Sequence, residues 1–257
     1  LLRDTSFGRA IIGVSGSGDM VEIAKEEKRV STVSALASLL ATPLSKTTFD
    51  TTLRMDQHSV FGEKITGRMT ASYQPSQSLL VKLGGGTGFR APSLDEMYGQ
   101  YNTNDPSYYK ADANGDFTVV YGNSALEPES STSFDAGLYY NLDTLGTKLS
   151  ASIFNIKVDK AISYDSGDPN DWYDGSYKQL GTKSQRQGID LQVDFTLDGG
   201  SKIGLSYTGV TDEKGKNVSN IPKHIFNLAA VSKMTEKVTI VGDLKVVKDL
   251  TGVLSDG

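Results

Sequence analysis

The stretch Ile189-Asp190-Leu191-Gln192-Val193-Asp194-Phe195-Thr196-Leu197 decides the fold class. Every odd position is apolar and every even position is polar. Successive side chains of a β-strand point to opposite faces, so this is a strand with one greasy face and one charged face. A helix would instead space its apolar residues three and four apart. The same period of two governs Ile65, Gly67, Met69, Ala71 and Tyr73 against Thr66, Arg68, Thr70 and Ser72. It returns in Phe134, Ala136, Leu138 and Tyr140 against Ser133, Asp135, Gly137 and Tyr139, and in Ile203, Leu205 and Tyr207 against Gly204, Ser206 and Thr208.

Outward from these segments the pattern predicts about eleven strands, over 4–15, 29–42, 45–57, 63–74, 78–90, 129–141, 147–163, 179–197, 201–212, 223–233 and 237–248. Residues 33–41 (VSALASLLA) admit a short helix as well, because a short apolar run does not reveal its period. The connections alternate in length. Tight turns fall near Pro43-Leu44, Pro75-Ser76, Asp143–Gly146, Asp198-Gly199-Gly200 and Met234–Glu236, and longer polar loops near 16–28, 57–62, 91–128, 164–178 and 213–222. Outer-membrane barrels alternate in this way, with short periplasmic turns and long extracellular loops. A Greek-key sandwich has no reason to. Strands beyond ten residues also suit a tilted membrane crossing. The pattern does not say which face is inward, so a soluble β-sandwich binding module and a passive porin-like channel of ten to twelve strands stay open beside a larger barrel.

Composition narrows the function. The chain has 257 residues, 27 glycines, no cysteine and a net charge of −5. Without cysteine there is neither a disulfide framework nor a thiolate metal site. Acids and bases are mixed along the chain, so nucleic acid is not an expected partner. No run reaches the eighteen apolar residues of a membrane helix, and the opening Leu1-Leu2-Arg3-Asp4 does not form a signal peptide. Catalysis is not expected either. His58 and His224 lie in different loop regions and are expected as surface turn residues, and no G-x-S-x-G elbow occurs. The run Gly84-Gly85-Gly86-Thr87-Gly88-Phe89 lacks the lysine of a phosphate-binding loop and has no βαβ context. Its glycines are expected to let a strand pack closely against a lumenal neighbour.

That run continues as Arg90-Ala91-Pro92-Ser93-Leu94-Asp95-Glu96-Met97-Tyr98, and the whole resembles the GTGFRAPSLxELY signature of TonB-dependent receptor barrels. Further similarities follow in family order. Leu53–Gly62 is similar to an LRxDxHSxFG hairpin, Gly122–Ser131 to N-x-x-L-x-P-E-x-S, Ile153–Ile162 to xFYNxxxDxI, Gln187–Asp190 to xGxE, and Ile221–His224 to xPxH. Together they cover about residues 45 to 235, nearest in look to the cobalamin and siderophore branch. The resemblance implies an all-β fold, an antiparallel transmembrane β-barrel segment of about 11 of 22 strands, with long extracellular loops and short periplasmic turns. Residues 1–257 are then expected to be a partial barrel domain, without the plug domain and the C-terminal closing strands. The implied function is that of an outer-membrane receptor for a large scarce ligand, of cobalamin or iron–siderophore type, in a Gram-negative bacterium and energised through TonB. Its implied partners are outer-membrane lipid, the absent plug domain, the TonB complex and the small-molecule ligand.

Ligand-binding candidates gather in two loops. One carries Tyr98, Tyr101, Tyr108, Tyr109 and Phe117, and the other Tyr164, Trp172, Tyr173 and Tyr177. Tyrosine and tryptophan offer large rigid surface with a polar tip; the plainer reading is the aromatic girdle of a barrel. Arg90 is placed either to contact an anionic ligand or plug carboxylate, or to neutralise Asp95 or Glu96. Pro92 is expected to open a short helix over 92–98. Asp112, Asn114 and Asp116 have the D-x-N-x-D spacing that offers hard oxygens to calcium, without the glycine and glutamate of an EF-hand. A second acidic group, Asp165, Asp168, Asp171 and Asp174, is interleaved with turn formers. Calcium in these extracellular loops is the one cofactor considered, because some members of the cobalamin branch order outer loops with it.

Overall fold

A computed structural model describes residues 2–5, 8–23, 26–103, 117–143, 146–165, 175–181, 183–235 and 237–251. Among the described residues sixteen strands run in chain order. They are β1 (Leu2–Thr5), β2 (Gly8–Ile23), β3 (Glu26–Leu44), β4 (Thr47–His58), β5 (Gly62–Tyr73), β6 (Leu79–Arg90), β7 (Gln100–Thr103) and β8 (Phe117–Val120), followed by β9 (Glu129–Leu142), β10 (Thr147–Asp159), β11 (Ile162–Asp165), β12 (Ser176–Gln179), β13 (Ser184–Thr196), β14 (Lys202–Thr211), β15 (His224–Lys233) and β16 (Thr239–Lys248). One helix, α1 (Leu94–Tyr98), follows β6.

Twelve strands form one antiparallel sheet in the order β1-β2-β3-β4-β5-β6-β9-β10-β13-β14-β15-β16. Each wall strand pairs with its neighbours in sequence, as an up-and-down barrel wall requires. The remaining four make two small hairpins, β7–β8 and β11–β12, inside the long connections. No second sheet packs on the wall among the described residues, which rules out the sandwich.

Three sequence expectations need correction, and one open alternative is decided. Residues 4–15 hold parts of two strands, β1 and β2, which accounts for a twelfth wall strand. The expected loop 16–28 is mostly strand: Gly16 through Ile23 pair with Val33 through Glu26. The helix allowed at 33–41 is strand β3, paired on both sides. The strands expected over 147–163 and 179–197 break at their outer ends. Lys160 adopts a left-handed φ of 56° and turns the chain out of β10 into the β11–β12 hairpin, a conformation that ends extended pairing.

Register sorts every wall residue to a face. One face carries Ile12, Val14, Leu53, Met55, Ile65, Leu138, Ile153, Leu191 and Leu205, linked across the ladders by pairs such as Met55↔Ile65, Ala151↔Leu138 and Ala151↔Leu191. The other carries Ser34, Arg54, Asp56, Arg68, Asp135, Asp190, Gln192 and Asp194. Large apolar side chains stand uncovered on the first face: Val14 is 83% exposed, Ile65 66% and Leu53 59%. Water would penalise so broad a patch, whereas lipid would not. Aromatic residues mark both ends of this band. Phe49, Tyr73, Tyr140 and Phe195 sit toward the short turns, and Phe134 and Phe226 toward the long loops. These make the girdle; Tyr98, Tyr164 and Tyr177 belong to the long connections.

The buried apolar residues lie elsewhere. Among the described residues they are Leu94 and Met97 of α1, Leu126, Ala161 and Val210. Among the described residues the wall strands contribute only Val210 to this small core, the rest of which lies under the loops at the outer end.

Candidate functional site

The glycine run occupies β6, and register puts Gly84, Gly86 and Gly88 on the polar face. Arg68 of β5 reaches across β6 to form an ion pair with Asp135 of β9. A Cβ on Gly84 would stand 2.6 Å from an Asp135 carboxylate oxygen and 2.7 Å from an Arg68 nitrogen. Glycine is therefore needed here because two charged side chains meet over it. Beside this pair, Asp56 is 4% exposed and accepts from Ser34 Oγ at 2.5 Å and from Arg54 Nε at 2.9 Å. This is a fully bonded polar cluster of the kind a water-facing lumen can hold. His58, expected on the surface, is only 4% exposed. Its Nδ1 accepts from the amides of Val60 at 3.1 Å and Phe61 at 3.3 Å, closing the β4–β5 turn.

At the outer end of β6 the chain turns sharply. Ser93 caps α1: its Oγ accepts from the Glu96 amide at 3.1 Å, and its own amide donates to Glu96 Oε2 at 2.8 Å. This reciprocal capping box starts the helix two residues later than the expected Pro92. Arg90, the last residue of β6, lies between two carboxylates. Its Nη1 meets Glu96 Oε2 at 2.8 Å and its Nε meets Glu129 Oε2 at 2.6 Å. The Glu96 partner was among those expected; Glu129 was not. Burial pushes the Glu96 carboxyl up, but the Arg90 guanidinium and the Ser93 amide outweigh it and hold the group below the usual glutamate range. A carboxyl so lowered stabilises the folded loop fully above its unfolded value, about 4.3, and loses that contribution as pH falls through the lower folded value. Limited proteolysis of the 91–99 segment is therefore expected to be flat from pH 8 to 5 and to accelerate below about pH 4.

The two long connections meet over this corner. The Tyr121 hydroxyl donates to Asp95 Oδ1 at 2.7 Å, and that hydrogen bond, with burial second, pushes the phenol up to about 12. The Tyr177 ring stands 6.2 Å from Tyr121 and 5.2 Å from Tyr164, the latter edge-on. Burial, then the Asp95 and Glu96 charges, raise the Tyr177 phenol as well. Next to Asp95 a cleft of about 920 Å³ is lined by Asp19, Arg54, Asp56, His58 and Thr66 of the polar face and by Pro92, Leu94 and Asp95 itself. The loop segment thus folds over the polar face, which makes that face the lumen and the apolar face the lipid side.

The sequence candidates divide accordingly. Arg90, Tyr98 and Tyr177 are brought to one corner, with Lys28 Nζ 5.8 Å over the Tyr98 ring. Tyr101 lies in β7. Tyr108, Tyr109, Trp172 and Tyr173, and the calcium candidates Asp112, Asn114 and Asp116, lie outside the described residues. Sequence reasoning missed Tyr121 and Glu129, and it offered Asp95 to Arg90 where the structure gives it to Tyr121. The only signals were that Glu129 lies in the Gly122–Ser131 motif and that Tyr121 directly precedes it.

The barrel model described as TonB dependent receptor-like matches residues 23–237. The chain belongs to the TonB-dependent receptor β-barrel family. Among curated relatives of this family it is similar to the vitamin B12 transporter BtuB of Vibrio cholerae, 26% identical over 80% of this chain and 29% of the relative. It is also 25% identical, over 68% of this chain and 27% of the relative, to the iron-regulated outer membrane virulence protein of that species. It therefore spans less than a third of the length of these relatives. Solved TonB-dependent folds agree. A ferric enterobactin receptor mutant from Pseudomonas aeruginosa superposes with a TM-score of 0.75 at 15% identity, over 96% of this chain and 40% of that one. The siderophore receptor PirA from Pseudomonas aeruginosa gives 0.74 at 17%, over 96% and 47%. The wall is that of an outer-membrane barrel.

Proposed function

We propose that this chain supplies part of the wall and outer mouth of a TonB-energised receptor for a large, scarce ligand of the cobalamin or iron–siderophore type. The observation that carries this reading is the pair of long connections that meet at one corner of the rim, with the Tyr177 ring against Tyr121 and Tyr164, and Tyr121 bonded to Asp95, which lines a cleft of about 920 Å³. Clustered tyrosines give a rigid amphipathic surface suited to a bulky solute. The unit binds and admits, with no covalent step. Its partners are outer-membrane lipid along the apolar face, a plug domain against the lumenal one, and the TonB complex through that plug. Arg90, Tyr101, Tyr108, Tyr109, Trp172 and Tyr173 are proposed to shape or touch the ligand. Calcium at Asp112, Asn114 and Asp116 is proposed to order the first loop, supported by their run of hard oxygens.

The test is competition binding on the complete receptor with cyanocobalamin, ferric siderophores, haem and an oligosaccharide. Removal of residues 100–120 is expected to weaken binding of the preferred ligand by about tenfold or more, since rim loops carry recognition, and to leave the barrel assembled. Chelation with EGTA should weaken binding in the intact receptor and have no further effect in the deletion. Undiminished binding and uptake in the deletion would remove this loop from the site.

A further inference from the structure

We infer that the β6–β9 and β10–β13 connections form a single body, and that Arg90 is the positioning residue that fixes this body to the wall. The two connections leave the sheet through different hairpins, 69 residues apart at their starts, yet their described residues bond to each other at several points. The Tyr177 amide donates to the Tyr121 carbonyl at 3.0 Å, and Asn123 Nδ2 donates to the Tyr177 carbonyl at 3.0 Å. The Gln179 side chain accepts from the Glu127 amide at 2.9 Å and donates to the Glu127 carbonyl at 2.9 Å and the Lys160 carbonyl at 2.5 Å. Leu94, Met97, Leu126 and Ala161, drawn from both connections, are among the few buried apolar residues.

Arg90 stands where this body joins the sheet. Arg90 and Glu129 are register partners at the first rung of the β6–β9 ladder. The guanidinium takes Glu129 from the neighbouring strand and Glu96 from α1, while the second oxygen of Glu129 accepts the Ile162 amide of β11 at 2.6 Å. One cation and two carboxylates therefore join a strand end, a helix, the adjacent strand and the second hairpin. A guanidinium can serve two carboxylates at once because its donors fan out in a plane; an ammonium is a point charge without that fork. A single exposed ion pair contributes little, but a shared one whose carboxylates are mostly covered transmits any displacement of one loop to the other.

Hydrogen exchange on the full-length receptor in detergent micelles tests this. Arg90→Ala is expected to speed exchange in 160–165 and 175–181, the loop in which Arg90 does not lie, by about tenfold together with 94–99, and to leave β4, β5 and β10 unchanged. Arg90→Lys should restore only part of the protection. The double variant Asn123→Ala, Gln179→Ala, which leaves Arg90 intact, should release 175–181 while 94–99 stays protected by its cap and clamp. Faster exchange confined to 94–99 in Arg90→Ala, or full recovery in Arg90→Lys, would overturn the assignment of Arg90. If Arg90→Ala fails to assemble, the double variant decides alone: unchanged exchange in 175–181 would overturn the single body.

Discussion

Leu191→Arg is expected to destabilise the folded wall by about 2–4 kcal/mol, and Gln192→Arg, one residue along the same strand, by less than about 0.5 kcal/mol. The two positions differ only in face. Leu191 pairs with Ala151 and Tyr207 on the apolar side and is 41% exposed there. It lies near the middle of β13, the depth at which lipid tolerates a cation least. Gln192 faces the lumen and donates to Asp194 Oδ2 at 2.8 Å, so an arginine there keeps both water and an acidic partner. Urea unfolding of the complete receptor in lipid vesicles measures both. Equal losses at the two sites, or none at either, would contradict the assignment of the apolar face to lipid.

Gly122→Ala is expected to unseat α1, at about 1–3 kcal/mol or more of local stability. The reason is close approach and not torsion, since Gly122 is not among the glycines with positive φ. A Cβ there would stand 2.6 Å from the Tyr98 amide nitrogen and 2.7 Å from its carbonyl carbon. Both are backbone atoms at the end of the helix, so no side chain can swing aside to make room. The hydrogen bonds that bring Gly122 and Asn123 against the helix, to the Gly99 carbonyl and the Glu96 carbonyl at 2.8 Å each, would have to lengthen. Tyr121 would leave Asp95 with them. Ultraviolet titration should register this as a phenol returning from about 12 toward the ordinary value near 10. An unchanged tyrosine titration in a folded Gly122→Ala receptor would show that the loop accommodates the methyl group.

Most of the wall was legible because a membrane strand has little freedom. Alternation such as Ile189 to Phe195 records lipid on one side and lumen on the other, and the short turns bound each segment. Legibility failed where that contrast fades. In β3, Leu36 and Leu40 face the lumen while Ala37 and Leu39 face lipid, so both faces carry leucine and 33–41 loses its period. Gly16, Ser17, Gly18 and Asp19 have turn composition, but each is held by a rung to β-branched or polar partners of β3, and pairing outweighs local preference. At the rim the sequence pointed to the right residues but not to all their partners. Arg90 was placed beside Glu96, yet its second partner, Glu129, lies 39 positions away, and only the sheet register brings it near. The hairpins β7–β8 and β11–β12 are too short, at four residues a strand, for alternation to be visible.

The β2–β3 hairpin makes the rim uneven. Its pairing with β4 ends at Thr32↔His58, with one further contact from Ser59 to Ser31, yet the ladder to β2 continues to Glu26↔Ile23. Residues 26–30 therefore rise roughly 17 Å further along the strand than the neighbouring turn, at about 3.3 Å per residue. They stand next to α1, with Lys28 over Tyr98. The result is a parapet on one side of the mouth. Whatever approaches on that side from outside meets residues 26–30 before it meets the lower β4–β5 edge.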